Sequence, residues 1–327
     1  MLEQDREPVA AICLLAALAD GERTAEEQAQ LARIAARLSG GEAGALPERV
    51  ERGEISAAEA ARRLSSAEAR RLAYEMAVSV VYADGDANPR EQEFLSGLRR
   101  EMNLPDDGLG AVHQDAQALA TAPIAGPIPA VGDPPSGPRP SQAGIPAMSH
   151  DAALDLMIRQ QALLAGALEL LPQGLASMAI IPVQLRLVYR IGADYGHKPD
   201  ADQIKDLLGV MGVGAAAQVL DGVARRILSG LGHGMFGRVL GGLVGGAAGV
   251  AAGAGLAFVT TYALGHAAEQ YYAQGRRLSR EDLRALFERF KAQAEATLPE
   301  VQEELHAQAQ HLDLGRLLKS LRGELAT

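Results

Sequence analysis

Two nine-residue segments 64 positions apart share one punctuation: Ala-Asp-Gly-Glu-Arg-Thr-Ala-Glu-Glu at 19–27 and Ala-Asp-Gly-Asp-Ala-Asn-Pro-Arg-Glu at 83–91. Each follows an apolar run, 9–19 or 73–83, and each leads into a helical stripe. The first stripe is Leu31, Ile34 and Leu38; the second is Phe94, Leu95, Leu98 and Met102. Gly21 and Gly85 follow the apolar run, where a left-handed residue ends a helix, and Thr24 and Asn88 stand where the next N-cap belongs. Glu27 and Glu91, three residues on, complete capping boxes, and Pro89 takes the first helical position. The pattern predicts helix–turn–helix units used twice, with extra short helices between them over 40–53 and 56–64. No stretch alternates with period two long enough to argue a sheet, so the expected fold class is all-α.

The 327 residues suit two domains, and composition divides them. Residues 1–120 hold 13 Arg and no Lys against 22 Asp or Glu, which is nearly all of the net charge of −10. That sign argues against nucleic acid as a partner. Residues 121–149 hold eight of the sixteen prolines and two charges, Asp133 and Arg139, and read as a flexible linker. Residues 150–327 resume as apolar helices. Aromatic residues are only 4% and Trp is absent, so Leu, Val, Ile and Ala must fill the cores. The single Cys13 excludes an internal disulfide and any Cys-pair zinc motif, and suits a reducing compartment. Glu3, Asp5 and Glu7 surround the first basic residue, unlike the positive start of a secretory signal.

The carboxylates in the two turns exceed what capping needs. Asp20, Glu22, Glu26 and Glu27 in the first copy, and Asp84, Asp86, Glu91 and Glu93 in the second, are oxygen donors whose mutual repulsion a divalent cation (Ca²⁺, Mg²⁺, Mn²⁺ or Zn²⁺) would relieve. An EF-hand is excluded, because Pro89 replaces the glycine at loop position six and Leu95 the glutamate at position twelve. The paired helix, Ala-Asp-Gly turn and Glu-containing helix resemble the TerB-like domain of tellurite-resistance and stress-response proteins, over about residues 8–104. The resemblance implies a compact all-helical sensor or adaptor with clustered acids and a metal link, working with membrane-associated partners; it implies no known catalytic activity.

In the C-terminal part, 154–195 reads as two apolar helices broken around Pro172-Gln173-Gly174, the second beginning at Pro182 and closed by Gly196. Val183, Leu187, Ile191 and Tyr195 form its apolar stripe; Gln184, Arg186, Arg190 and Asp194 point elsewhere. Together with Thr261–Gly265 and Tyr271–Gly275, this segment resembles a domain of YcjF-like bacterial inner-membrane proteins and of some small GTPases, over about 160–278. That resemblance implies membrane association and a GTPase neighbour. From Val239 to Gly265 no residue is charged, and 27 residues at about 1.5 Å each would reach about 40 Å, enough to cross a bilayer. Gly237, Gly241, Gly245, Gly249 and Gly253 recur every four residues, a groove for a close helix neighbour in lipid or in a soluble core. Two charged amphipathic helices, opened by Ser279 and Asp282, are expected over 279–322 as a cover for the domain or as a partner-binding face.

Catalytic signals are missing from the pattern. No P-loop, Gly-x-Ser-x-Gly or His-Glu-x-x-His occurs, and the seven histidines show no ligand spacing and are expected mostly at the surface. His266 and Glu269, one turn apart, suggest a local hydrogen bond. The expectation is a non-enzymatic, cytoplasmic-side adaptor, peripheral or integral at the inner membrane, in a stress or tellurite-resistance type response. Its partners would be a membrane-bound protein, a GTPase or a stress-response protein, and it could form an oligomer. The competing expectation is a soluble metal-responsive binding protein whose glycine-rich helix is buried in its own bundle or in an oligomer.

Overall fold

In the computed structural model, residues 3–19, 45–83, 85–105, 109–126, 129, 150–170, 174–213 and 248–322 are described. They form twelve α-helices, with one 3-10 turn at Glu3–Asp5 and no strand among the described residues, so the fold is all-helical. They group into two compact units, the first holding the described residues up to Thr121 and the second most of those beyond it.

The first unit is built around α1 (Arg6–Ala17), whose Val9, Ala11, Ile12 and Cys13 are fully buried. A helix apolar on every side must be surrounded. It is enclosed by α2 (Ala45–Glu51), α3 (Ala57–Arg63), α4 (Ala67–Val81) and α5 (Pro89–Glu101), while α6 (Leu109–Ala120) packs on α4. The two short helices expected between the repeats are therefore present, as α2 and α3. Ser56 opens α3 with a reciprocal capping box to Glu59. At the start of α1, Asp5 is 1% exposed and accepts hydrogen bonds from the backbone and hydroxyl of Ser65, both at 2.8 Å. Glu7 takes Arg49 at 3.2 Å and Arg63 at 2.9 Å, tying α1 to α2 and α3.

The second copy of the repeated turn is capped as its spacing predicts. The Asn88 side chain accepts from the backbone of Arg90 (2.9 Å) and Glu91 (3.1 Å), Glu91 accepts from the Asn88 backbone (2.8 Å), and Pro89 begins α5. Leu95, Leu98 and Met102 are buried, with Phe94 partly so. The ending of α4 differs from expectation. It stops at Val81, and Gly85 lies four residues further on with φ +150°, so glycine serves the turn rather than the helix terminus. The first copy, including Thr24 and Glu27, lies outside the described residues.

The second unit comprises α7 (His150–Glu169), most of α8 (Gly174–Asp194), α9 (Ala201–Val210), most of α10 (Ala248–Ala273), α11 (Arg280–His311) and α12 (Leu314–Arg322). Ala162 and Leu163 of α7, Phe258 and Val259 of α10, and Ala294, Val301 and Leu305 of α11 make one apolar cluster. Two prolines lie inside helices. Pro182 does not begin a helix as the sequence suggests but sits well within α8, and α11 runs unbroken past Pro299. Each proline forfeits one backbone hydrogen bond. Burial of Ile180, Ile181 and Val183 on one side, and of Ala294, Val301 and Leu305 on the other, holds the helices together across the gap. Gly196 does close α8: its φ is +78°, and His197 N–H bonds back to the Gly192 carbonyl at 2.8 Å. Ser279 and Asp282 cap α11 reciprocally.

Only the later part of the glycine-rich run, from Ala248, is described. Among the described residues no helix is long and apolar enough to cross a membrane. The described part of the run belongs to α10, which continues past Gly265 to Ala273 and carries His266 and Glu269. From Gly255 to Glu269 every α10 residue is buried or partly buried. Gly249 and Gly253 lie one turn apart on α10; Gly237, Gly241 and Gly245 lie outside the described residues. Two glycines further along α10 stand close to neighbouring helices: a Cβ on Gly265 would stand 2.6 Å from Cγ2 of Ile158 on α7, and one on Gly255 2.7 Å from Cδ2 of Leu298 on α11.

The polar residues of α8 also depart from the expected solvated face. Gln184 is 0% exposed and donates to the Thr261 hydroxyl on α10 at 2.9 Å. Arg186 is 1% exposed; it donates to the carbonyls of Pro123 (3.0 Å), Ser320 (3.3 Å) and Leu321. Arg190 and Asp194 are exposed as expected and pair at 3.4 Å. The proline-rich segment is not wholly detached from this core, since Gln161 reaches the Pro129 carbonyl at 3.2 Å.

Candidate functional site

Of the eight carboxylates singled out by the sequence, Asp20, Glu22, Glu26, Glu27 and Asp84 lie outside the described residues. Asp86 and Glu93 are exposed, and Glu91 is half-buried and engaged in the capping box. Burial, and after it the charges of Asp86 and Glu91, hold the Tyr82 phenol above its usual range, so this turn carries a negative field. Asp86, Glu91 and Glu93 do not themselves make a group of three converging ligand atoms.

The described residues contain one such group, and it lies in the second unit. Asp155 of α7 and His266 and Glu269 of α10 place a carboxylate oxygen, an imidazole nitrogen and a second carboxylate oxygen within 4.8 Å of one another. His266 Nδ1 is 3.2 Å from Glu269 Oε2 and 3.8 Å from Asp155 Oδ1. Helical spacing puts His266 and Glu269 on one face of α10. The side chains of both are 10% exposed, whereas Asp155 is 63% exposed and guards the mouth. The group lines a cleft of about 580 Å³ between α7, α10 and α11, which also takes in Asp151, Arg159, Tyr262 and Phe290.

The imidazole is held by aromatic neighbours, its centroid 4.4 Å from the Tyr262 ring and 5.1 Å from the stacked Phe290 ring. Its Nε2 is buried without a hydrogen-bond partner. Arg159 turns away to Glu304 of α11 with two hydrogen bonds, one at 3.1 Å from Nη1 and one from Nη2. The Tyr262 phenol is raised by burial and then by Asp155, with Glu269 adding to it. The cleft is negative and offers mixed nitrogen and oxygen donors. The spacing of His266 and Glu269 discloses that pair alone; Asp155 is remote in the chain and has no local signal. Most described histidines are exposed or partly so, as expected, and His266 is the buried exception.

A second cleft, of about 880 Å³, lies in the first unit between α4, α5 and α6. His113 Nε2 and the Tyr74 hydroxyl are 2.8 Å apart there, and the His113 ring meets Tyr82 edge-on. Burial, reinforced by Arg99, lowers the pKa of His113 below the ordinary 6.5.

An all-helical module with a capped inter-helix turn is the class that the first unit defines. Residues 6–114 match the family model for tellurite resistance protein TerB, which takes in α1 to α5 and the first half of α6. No curated protein and no solved structure matches the chain. The family match ends before the second unit, and the YcjF-like resemblance of residues 160–278 finds no counterpart in these comparisons.

Proposed function

We propose that the chain is a non-catalytic adaptor of a tellurite-resistance or stress response, with its TerB-type unit as the docking module and its C-terminal helical unit as a self-contained bundle. The family match over residues 6–114 carries this reading. The exposed Asp86 and Glu93 beside the capped turn supply an acidic surface for a divalent cation or a basic partner. Enclosure of α10 from Gly255 to Glu269 by the chain's own residues favours attachment to membranes through a membrane-bound protein rather than by insertion.

Alkaline carbonate washing of membranes from cells making the full chain tests the attachment. Peripheral adaptors are released by it, and retention in the washed pellet would refute the self-contained bundle. A strain without the gene, challenged with tellurite, tests the response: the full chain should restore growth and the chain lacking 1–120 should not. Equal rescue by both would remove the TerB-type unit from the function.

A further inference from the structure

We propose that Asp155, His266 and Glu269 form a binding site for one divalent transition-metal ion, typified by Zn²⁺, with His266 ligating through Nδ1. The site is separate from the carboxylates of the repeated turns and does not depend on the adaptor reading.

The distances fit a shared ion. Donors about 2.1 Å from one metal stand about 3.0 Å apart at a right angle and about 3.4 Å apart at a tetrahedral angle. Nδ1 of His266 lies 3.2 Å from Glu269 Oε2 and 3.8 Å from Asp155 Oδ1. Glu269 is therefore in place, and the exposed Asp155, whose oxygen lies within 4.8 Å of both other donors, has to swing inward to close the set. The cleft in front of the group leaves room for water at the remaining positions.

Charge points the same way. Asp155 and Glu269 face one imidazole, Asp151 adds a third carboxylate to the cleft, and Arg159 is committed to Glu304. An ion at Nδ1 would answer the two carboxylates from within their cleft, and the imidazole is anchored there with Nε2 buried and without a hydrogen-bond partner. The donor set also selects the ion. Ca²⁺ and Mg²⁺ are held by oxygen, whereas an imidazole with two carboxylates suits Zn²⁺, Mn²⁺ or Fe²⁺. An ion there would join α7 to α10 at a point where an exposed carboxylate meets a buried pair.

The test is calorimetric titration of the EDTA-stripped full-length protein with Zn²⁺, alone and in a large excess of Ca²⁺ and Mg²⁺. Three variants accompany it: Asp155→Asn, Glu269→Gln and His266→Gln. Asp155→Asn is the decisive one, because the residue is exposed and the metal-free variant should melt as the parent does. The expected result is a Zn²⁺ site that survives excess Ca²⁺ and Mg²⁺ and is weakened about tenfold or more by Asp155→Asn. With Co²⁺ as a probe, visible bands should appear in the parent and be lost in His266→Gln. Unchanged Zn²⁺ affinity in Asp155→Asn overturns the proposal, as does displacement by Ca²⁺ or Mg²⁺ at comparable concentration. Zn²⁺ binding that is lost instead in Asp86→Asn with Glu93→Gln would place the ion in the first unit and overturn it too.

Discussion

Replacing Arg186 by Met removes a cation from the centre of the second unit and keeps most of its volume. Three carbonyls lose their donor: Pro123, and Ser320 and Leu321 at the end of α12. The last carbonyls of a helix have no partner within it, and that end carries partial negative charge, so the guanidinium acts as a C-terminal cap from another element. Gly126 lies so close that a Cβ there would be 2.8 Å from the guanidinium carbon. Hydrogen bonds to a charged group contribute about 1.5–3 kcal/mol each, but burying the guanidinium already costs several kcal/mol, so the net loss falls well below their sum. Peeling of α12 sets a ceiling, since its buried Leu317, Leu318 and Leu321 are worth about 1.5–3 kcal/mol apiece. The expected loss is about 3 kcal/mol, or roughly 6–12 °C in the melting of the second unit. Thermal unfolding followed by circular dichroism reads the first quantity, and amide exchange of 314–322 reads the release of α12. Arg190→Met, four residues along and exposed, is the control and should shift stability by no more than about 0.5 kcal/mol. An Arg186→Met protein that melts with the parent and keeps α12 protected would refute the capping role.

Gly265→Ala puts a Cβ 2.6 Å from the β-branched Ile158, which is stiff and fully buried, so overpacking of about 1–3 kcal/mol should outweigh the gain in helix propensity. Gly255→Ala meets only the end of the half-buried Leu298 and should be nearly neutral; equal melting temperatures for the two variants would contradict this packing. His113 is disfavoured in its charged form by burial and then by Arg99, so the folded chain binds that proton less readily than the unfolded chain. Its contribution is complete above the ordinary pKa of 6.5 and is lost as pH falls through the lower folded value. Urea midpoints measured at descending pH should fall less steeply in His113→Gln, which keeps a partner for Tyr74, and identical slopes would remove His113 as the cause. The Cys13 thiol is fully buried and pushed up to about 12 by desolvation, so a disulfide reagent at neutral pH should label it only as fast as the first unit opens. Immediate labelling of the native protein would contradict that burial.

What the sequence discloses is what short spacing can carry. Asn88 with Glu91, and Ser279 with Asp282, are three residues apart, and their caps form because both partners lie on the same turn. Gly196 ends α8 for an equally local reason. Pro182 misleads because a proline is a boundary only when nothing else holds the helix, and buried neighbours on both sides hold this one. Gln184 and Arg186 mislead through the assumption that polar residues face water. The signal against it was present: Met178–Leu187 is apolar apart from those two residues, so no polar face exists for them to share. The site follows the same rule. His266 and Glu269 were legible as a pair, but the partner on α7 depends on how two helices cross, and no local pattern encodes that.

The buried polar groups of the second unit have a common physical purpose in a core so short of aromatic residues. Alanine and glycine let helices approach closely but present shallow ridges, so apolar packing alone distinguishes poorly between neighbouring registers. A buried polar pair distinguishes sharply, since a helix displaced by one turn leaves donor and acceptor unpaired at about 1–3 kcal/mol per group. Gln184 with Thr261 fixes α8 on α10, Arg186 fixes α8 on α12, and Gln161 fixes α7 on the chain at Pro129. At the outer end of the α7 and α10 pair the same service falls to Asp155, His266 and Glu269, where two carboxylates face one imidazole. An ion would complete there what hydrogen bonds complete elsewhere in the unit. On this reasoning its arrival tightens the register of α7 on α10 without rebuilding the bundle.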